Sequence, residues 1–280
     1  MKEKTMHNVT ANGAAIPALG FGTFRMSDAE VAEVLPEALK LGFRHVDTAQ
    51  VYGNEAAVGA AIRASGVPRD EVFLTTKVWV TEFAEADLLP SVEESLKKLG
   101  VDHVDLLLLH WPHGNDTPRE VQIAELNKSV SKGVARHIGV SNYNVAGMHE
   151  AAELSNAPLV TNQVEYHPYL SQAPILKACA DLGMALTGYY GMADSAVPQD
   201  EVLQDIGAAH GKTAAQVALR WLVQQPRVVT LSKTAKLARL PENFGIFDFE
   251  LSAAQMTAIH GLGRPDGRII SPKDLAPDWD

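Results

Sequence analysis

The sequence predicts a single (β/α)8 barrel with a short N-terminal β-hairpin, residues 1–280 forming one domain. Short aliphatic and β-branched runs alternate strictly with amphipathic helical segments, making eight β/α units. Runs such as Leu106-Leu107-Leu108-Leu109 have no polar alternate, as a parallel strand covered on both faces requires. Eight such units in 280 residues suit a closed barrel. The alternative, an open doubly wound sheet, usually carries a glycine-rich phosphate loop after its first strand. Gly20-Phe21-Gly22-Thr23 lacks that spacing.

Residues 7–9 and 14–16 flank Ala11-Asn12-Gly13, and Asn-Gly is the strongest two-residue hairpin signal, so a small hairpin is expected to plug the barrel floor. Strand 19–22 leads through Ser27, an N-cap, into helix 28–41. Strand 44–47 ends on Asp47 before helix 55–64, and strand 72–77 ends on Lys77 before helix 85–99. The leucine run 104–109 meets His110 and then helix 118–132. Strand 135–140 runs into Ser141-Asn142, with Asn144 capping helix 145–154. Strand 159–163 closes on Gln163 before helix 172–182, and 184–189 closes on Tyr189 before a long helix, 201–225. Strand 228–231 precedes a basic segment and helix 252–260, capped by Ser252.

Charge narrows the range of partners. With 24 basic and 34 acidic residues the chain carries net charge −10, which repels a nucleic-acid backbone or an anionic membrane surface. The N-terminus starts polar (Met1-Lys2-Glu3-Lys4), and no stretch approaches the roughly 18 apolar residues of a membrane span, so a cytoplasmic protein is expected. Cys179 is the one cysteine; it lies in a helix-period stretch that fits a core face and has no partner for an internal disulfide. A closed sheet needs no partner strand, and a monomer is the expectation.

Polar residues stand at or just past the strand ends: Asp47, Lys77, His110, Ser141, Asn142, Gln163 and Tyr189. In a barrel these positions converge on the face that carries active sites. Asp47 and Lys77 can pair across the mouth, and an ammonium near a phenol lowers its pKa; Tyr52, on the loop after Asp47, is the available phenol. Each has a plainer reading, Lys77 as a solvated end, Tyr52 as part of a turn and His110 as a buried core histidine. A metal on His110-Trp111-Pro112-His113 is disfavoured, since this extended path does not put both imidazoles on one face. After the last strand, Ser232-Lys233-Thr234-Ala235-Lys236-Leu237-Ala238-Arg239 puts three cations in seven residues beside a predicted helix start, a site for an anion or else a solvated charged face.

Along essentially its whole length the chain resembles the aldo-keto reductase family. The resemblance rests on Gly42-Phe43-Arg44-His45-Val46-Asp47-Thr48-Ala49-Gln50-Val51-Tyr52-Gly53-Asn54-Glu55, on His110-Trp111-Pro112, on Ile138-Gly139-Val140-Ser141-Asn142-Tyr143, on Thr161-Asn162-Gln163-Val164-Glu165, and on the basic segment up to Glu242-Asn243. Within the family it is most similar to bacterial reductases of keto-sugar acids and 2-oxoaldehydes. The resemblance implies an NADPH-dependent oxidoreductase reducing a small aldehyde or ketone, without a metal. It assigns Asp47, Tyr52, Lys77 and His110 to catalysis, with Tyr52 as proton donor. It assigns Thr23, Asp47, Ser141, Asn142, Gln163 and Tyr189 to the nicotinamide end of the cofactor. Lys233, Thr234 and Arg239 fall to the 2′-phosphate and Glu242 and Asn243 to the adenine, while Phe24, Trp79, His110 and Trp111 line the substrate pocket. Tyr190-Gly191-Met192-Ala193 departs from the family's usual Ser-Pro-Leu-Gly at the loop that clasps the pyrophosphate, and Leu231-Ser232 stands where Ile-Pro is common. Two other readings stay open: a Schiff-base aldolase on Lys77, which Asp47 disfavours by holding the ammonium charged, and an NADPH-binding sensor or partner subunit with little turnover.

Overall fold

The computed structural model describes residues 6–280; the polar start at Met1-Lys2-Glu3-Lys4 lies outside them. Strands β1 (Asn8–Ala11) and β2 (Ala14–Pro17) form the expected antiparallel hairpin. Asn12 and Gly13 both take positive φ, 44° and 88°, the turn that Asn-Gly favours between right-twisting strands. The Asn12 amide donates to the carbonyl of Leu159, where a barrel strand begins, at 2.7 Å and to that of Leu182, where a helix ends, at 3.0 Å, so the hairpin does seat on the barrel floor.

Eight parallel strands then close on themselves: β3 (Leu19–Gly22), β4 (His45–Asp47), β5 (Phe73–Val78), β6 (Val104–Leu109), β7 (Ala135–Ser141), β8 (Leu159–Glu165), β9 (Ala185–Tyr189) and β10 (Val228–Ser232), the last pairing with β3. Around them lie α1 (Asp28–Leu41), α2 (Glu55–Ser65), α3 (Leu88–Leu99), α4 (Arg119–Ser131), α5 (Val145–Leu154) and α6 (Ala173–Asp181). Every residue of β6 is buried, as its leucine run requires. Ser27, Asn144 and Ser252 cap their helices as expected, each accepting from a backbone N–H three residues on.

Two helix boundaries differ from expectation. The long helix at 201–225 is two, α7 (Glu201–His210) and α8 (Ala214–Gln224), because Thr213 forms a capping box with Gln216 that starts a new helix. Gly211, in the left-handed conformation, ends α7 just before that cap. The segment at 85–99 becomes helical only at Leu88. After β10 come a short 3-10 turn (Leu237–Arg239), α9 (Leu240–Phe244) and α10 (Ala253–His260). Residues 261–280 hold no helix or strand. No described helix is long and apolar enough to cross a membrane.

One irregularity sets the register at the mouth. Pairing between β7 and β8 shifts between Ile138 and Val140, then resumes as Ser141 opposite Gln163. A side chain at Gly139 would place its Cβ 2.7 Å from the Thr161 carbonyl, so only glycine lets the strands approach here. On α6, Cys179 is buried, and burial pushes its thiol up to about 12, leaving it an inert core group.

His45, fully buried on β4, contacts the Thr75 hydroxyl through Nε2 at 3.1 Å, and burial pulls its pKa down to about 4. The folded state therefore binds fewer protons than the unfolded chain between pH 6.5 and about 4, and this group should remove about 3 kcal/mol of stability as pH falls through that window. Denaturant midpoints measured across the window should fall more steeply for wild type than for His45→Gln, which cannot titrate; equal slopes would refute the assignment.

Candidate active site

The polar strand ends meet at one face of the barrel. Lys77 Nζ, wholly buried at the end of β5, donates to Asp47 Oδ1 at 2.6 Å, to the Thr48 carbonyl at 2.8 Å and to Tyr52 Oη at 3.3 Å. Those three bonds use all its N–H groups. The pair bridges neighbouring strands β4 and β5 rather than spanning the mouth as expected. Asp47 turns its other oxygen, Oδ2, to the Gln163 amide at 2.8 Å, and so receives a charged and a neutral donor. Ser141 Oγ donates to the Gln163 carbonyl, and the Asn142 amide donates to the His110 carbonyl at 3.0 Å. Tyr189 Oη donates to Asn142 Oδ1 at 2.7 Å. One hydrogen-bonded network thus joins the ends of β4, β5, β7, β8 and β9.

Tyr52 sits half-buried in a 3-10 turn (Gln50–Tyr52) beyond β4. An ammonium cannot accept a hydrogen bond, so Tyr52 Oη accepts from Lys77 and its own proton is left to point elsewhere. The expected lowering of its pKa is not what this arrangement gives. Burial, then the negative charge of Asp47, push the Tyr52 phenol well up, so it keeps its proton. Burial pulls Lys77 down from the ordinary amine range, against the opposing pull of Asp47. Burial and the charge of Lys77 likewise hold His110 well down, leaving a neutral imidazole at neutral pH. A protonated phenol beside a neutral imidazole is an arrangement that can donate hydrogen bonds to a carbonyl oxygen and release one proton to it.

Aromatic rings line this centre. Phe24 lies 5.0 Å from the Tyr52 ring, and Tyr52 and Trp79 both meet His110 edge to face at 5.7 and 5.3 Å. Phe24 is 44% exposed, with the Arg25 guanidinium 5.0 Å from its ring centroid, and Trp111 is buried. Thr23 is buried too, its hydroxyl donating to the Asp47 carbonyl at 3.1 Å.

The basic segment lies apart, past β10 and hence beside β3. Lys233, Lys236 and Arg239 are exposed, and none forms an ion pair with a described residue. Thr234 is buried, its hydroxyl bound to the Lys236 backbone, so it shapes the turn that presents the cations. Glu242 accepts from Thr213 Oγ1 at 2.7 Å and Asn243 is half-buried on α9. The 190–195 loop, after β9, holds Tyr190, Ala193, Asp194 and Ser195 at positive φ. Tyr190 Oη donates to Asp194, and the charge of Arg25 acts on the same phenol. Residues after β3 and after β9 therefore meet.

Several positioning residues carry no signal of their own in the sequence. Asn54 donates to the carbonyls of Thr23 and Met26, and accepts from Thr48, which fixes the Tyr52 turn against the β3 loop. Gln50 accepts from the Trp79 backbone N–H at 2.8 Å. Glu165, fully buried at the end of β8, accepts from the backbone N–H groups of Ile269 and Ile270, both at 2.8 Å, and contacts His167 Nε2 at 2.9 Å. A carboxylate at the last position of a wholly buried strand was the available clue. At the far end of the tail, Asn144 donates to the Asp278 carbonyl and Asp280 accepts from the Val145 N–H at the start of α5. Residues 264–280 are thereby strapped across the barrel mouth.

A family profile described as "Aldo/keto reductase family" matches residues 18–264. The methylglyoxal reductase DkgB of Escherichia coli O157:H7 is 41% identical over 271 residues, 95% of this chain and 100% of that protein. The glyoxal reductase of Bacillus subtilis (strain 168) is 38% identical over 265 residues, 94% and 95% of the two chains. A solved structure described as "a putative 2,5-diketo-D-gluconic acid reductase B" superposes with a TM-score of 0.98 at 62% identity, covering 99% of this chain and 98% of that one.

Proposed function

From the premise that this chain belongs to the aldo/keto reductase family, we propose that it reduces a small aldehyde or ketone to the alcohol with NADPH, Tyr52 supplying the proton. The observation that carries this reading is the Lys77 ammonium bound to both Asp47 and Tyr52, with a phenol that keeps its proton and a neutral His110 beside it. When bound, NADPH would supply the hydride, two electrons and a proton's mass, that the carbonyl carbon needs. His110 and Tyr52 orient the carbonyl oxygen, and Tyr52 gives its proton as negative charge builds there. Lys77 then stabilises the phenolate left behind, its charge balanced by Asp47.

The residues fit the cofactor at both ends. Ser141, Asn142 and Gln163 present amide and hydroxyl groups suited to a carboxamide, and the Tyr189 ring stands beside them to stack on the nicotinamide. Lys233 and Arg239, exposed and without ion-pair partners among the described residues, suit the 2′-phosphate, with Thr234 shaping their turn and Glu242 and Asn243 placed for the adenine. The linked loops at Arg25 and Tyr190-Asp194 are placed to close over the pyrophosphate.

The substrate class most in keeping with the relatives is a 2-oxoaldehyde or keto-sugar acid, and a single chain is sufficient for the site. The test is steady-state oxidation of NADPH and of NADH with methylglyoxal and with 2,5-diketo-D-gluconate, on wild type and Lys233→Ala/Arg239→Ala. Removing two charge-assisted contacts should weaken the preference for NADPH on the order of 10²-fold. Failure of wild type to reduce either carbonyl while binding NADPH would favour a sensor, and a preference unchanged in the variant would remove the phosphate assignment.

A further inference from the structure

Strand β4 ends at Asp47, yet its register with β5 is carried on by side chains. The Phe73 N–H binds the Arg44 carbonyl at 2.6 Å, and bonds in a parallel pair are evenly spaced. In continued register the Lys77 and Trp79 N–H groups would therefore face the carbonyls of Thr48 and Gln50. The Thr48 carbonyl accepts from Lys77 Nζ at 2.8 Å. The Gln50 carbonyl is turned into the 3-10 turn, where it accepts from the Gly53 N–H at 3.2 Å. Gln50 Oε1 takes its place and accepts from the Trp79 N–H at 2.8 Å. Trp79 is half-buried one residue past β5, beyond the end of β4, so the Gln50 side chain meets an obligatory need of the backbone there.

The other end of the amide is fixed as firmly. Gln50 Nε2 donates to Ser91 Oγ at 3.1 Å and to Ser95 Oγ at 3.2 Å, both on α3, and Ser91 Oγ donates in turn to the Leu88 carbonyl at 2.8 Å. Both N–H groups and the oxygen are thus engaged, and the side chain is held at both ends. Gln50 opens the 3-10 turn that Tyr52 closes, and the Tyr52 and Trp79 rings both rest edge to face on His110, at 5.7 and 5.3 Å. One turn therefore carries the phenol and the acceptor that locates Trp79. We propose that Gln50 is a positioning residue that holds Trp79 in register with Tyr52 and so sets the width of the substrate pocket. The inference rests on the reductase reading, in which Trp79 is a wall of that pocket, and deepens it. A carbonyl whose substituent packs on Trp79 depends on Gln50; one as small as methylglyoxal does not.

The test compares benzaldehyde with methylglyoxal, both uncharged, in wild type, Gln50→Met and Gln50→Glu. Gln50→Met keeps the length of the side chain but offers Trp79 no oxygen, and should shift the ratio of the two kcat/KM values against benzaldehyde about tenfold, through KM and not kcat. Gln50→Glu keeps that oxygen and should hold the ratio within about threefold of wild type, since its charge acts on both substrates alike. The double variant Ser91→Ala/Ser95→Ala frees the far end of the amide and should shift the ratio in the same direction as Gln50→Met; it serves in its place if Gln50→Met does not fold. A turnover-independent arm records fluorine NMR of fluorotryptophan-labelled protein, with Trp79→Phe to assign the Trp79 signal. That signal should move in Gln50→Met and return in Gln50→Glu, while those of Trp111, Trp221 and Trp279 stay in place. A Trp79 signal unmoved in Gln50→Met, or an equal loss of kcat on both substrates with the ratio unchanged, overturns the proposal and leaves the reductase reading intact. A wild type that reduces neither carbonyl removes that reading, while a Trp79 signal that moves as expected still supports the register.

Discussion

Tyr52→Phe is expected to lower carbonyl reduction by about 10³–10⁴-fold while NADPH binding and the fold survive. The ring contacts with Phe24 and His110 do not need the hydroxyl, and the cofactor groups on β7, β8 and β9 do not touch it. What is lost is the proton aimed at the nascent alkoxide. Stopped-flow rates of a single turnover, combined with NADPH fluorescence titration, separate the two effects. A variant that binds cofactor as wild type and still turns over within about tenfold of it would assign the proton to another group, with His110 the first candidate.

Asp47→Asn should be the most damaging change to stability at the site. Lys77 is fully enclosed, and Asp47, at 2.6 Å, is its one ion-pair partner among the described residues, with the charge of Glu55 acting from further off. Neutralising the carboxylate leaves a buried ammonium uncompensated, which costs about 3–5 kcal/mol. The double variant Asp47→Asn/Lys77→Met removes both charges and should recover much of that loss, while remaining inactive because Tyr52 has lost its ammonium. Denaturant unfolding of the two singles and the double gives the coupling directly. Additive effects would mean that the pair contributes nothing as a pair.

Much of this was legible in the sequence because the barrel repeats one physical rule eight times. Buried parallel strands must be apolar throughout, so Asp47, Lys77, His110 and Gln163 stood out as polar groups where strands end. The joining of the long helix at 201–225 failed because small and apolar residues flank the break on both sides, although Gly211, left-handed at the end of α7, and the cap at Thr213 both mark it. The direction of the Tyr52 pKa was also misjudged. Residue identities show an ammonium near a phenol, but not how far burial and Asp47 outweigh it. The strap across the mouth was invisible for a different reason, since Glu165 and residues 269–270 meet across more than a hundred residues with no local pattern to join them.

The central claim is that hydride passes from the nicotinamide to a carbonyl carbon while the proton on oxygen comes from Tyr52. Its most direct test is product analysis by NMR after reduction of methylglyoxal with NADPH deuterated at the nicotinamide C4 position, in ordinary water, alongside the converse experiment with unlabelled NADPH in heavy water. The account predicts one deuterium on the new carbinol carbon in the first experiment and none there in the second. Deuterium arriving at that carbon from heavy water, or an unlabelled carbinol from the deuterated cofactor, would contradict it.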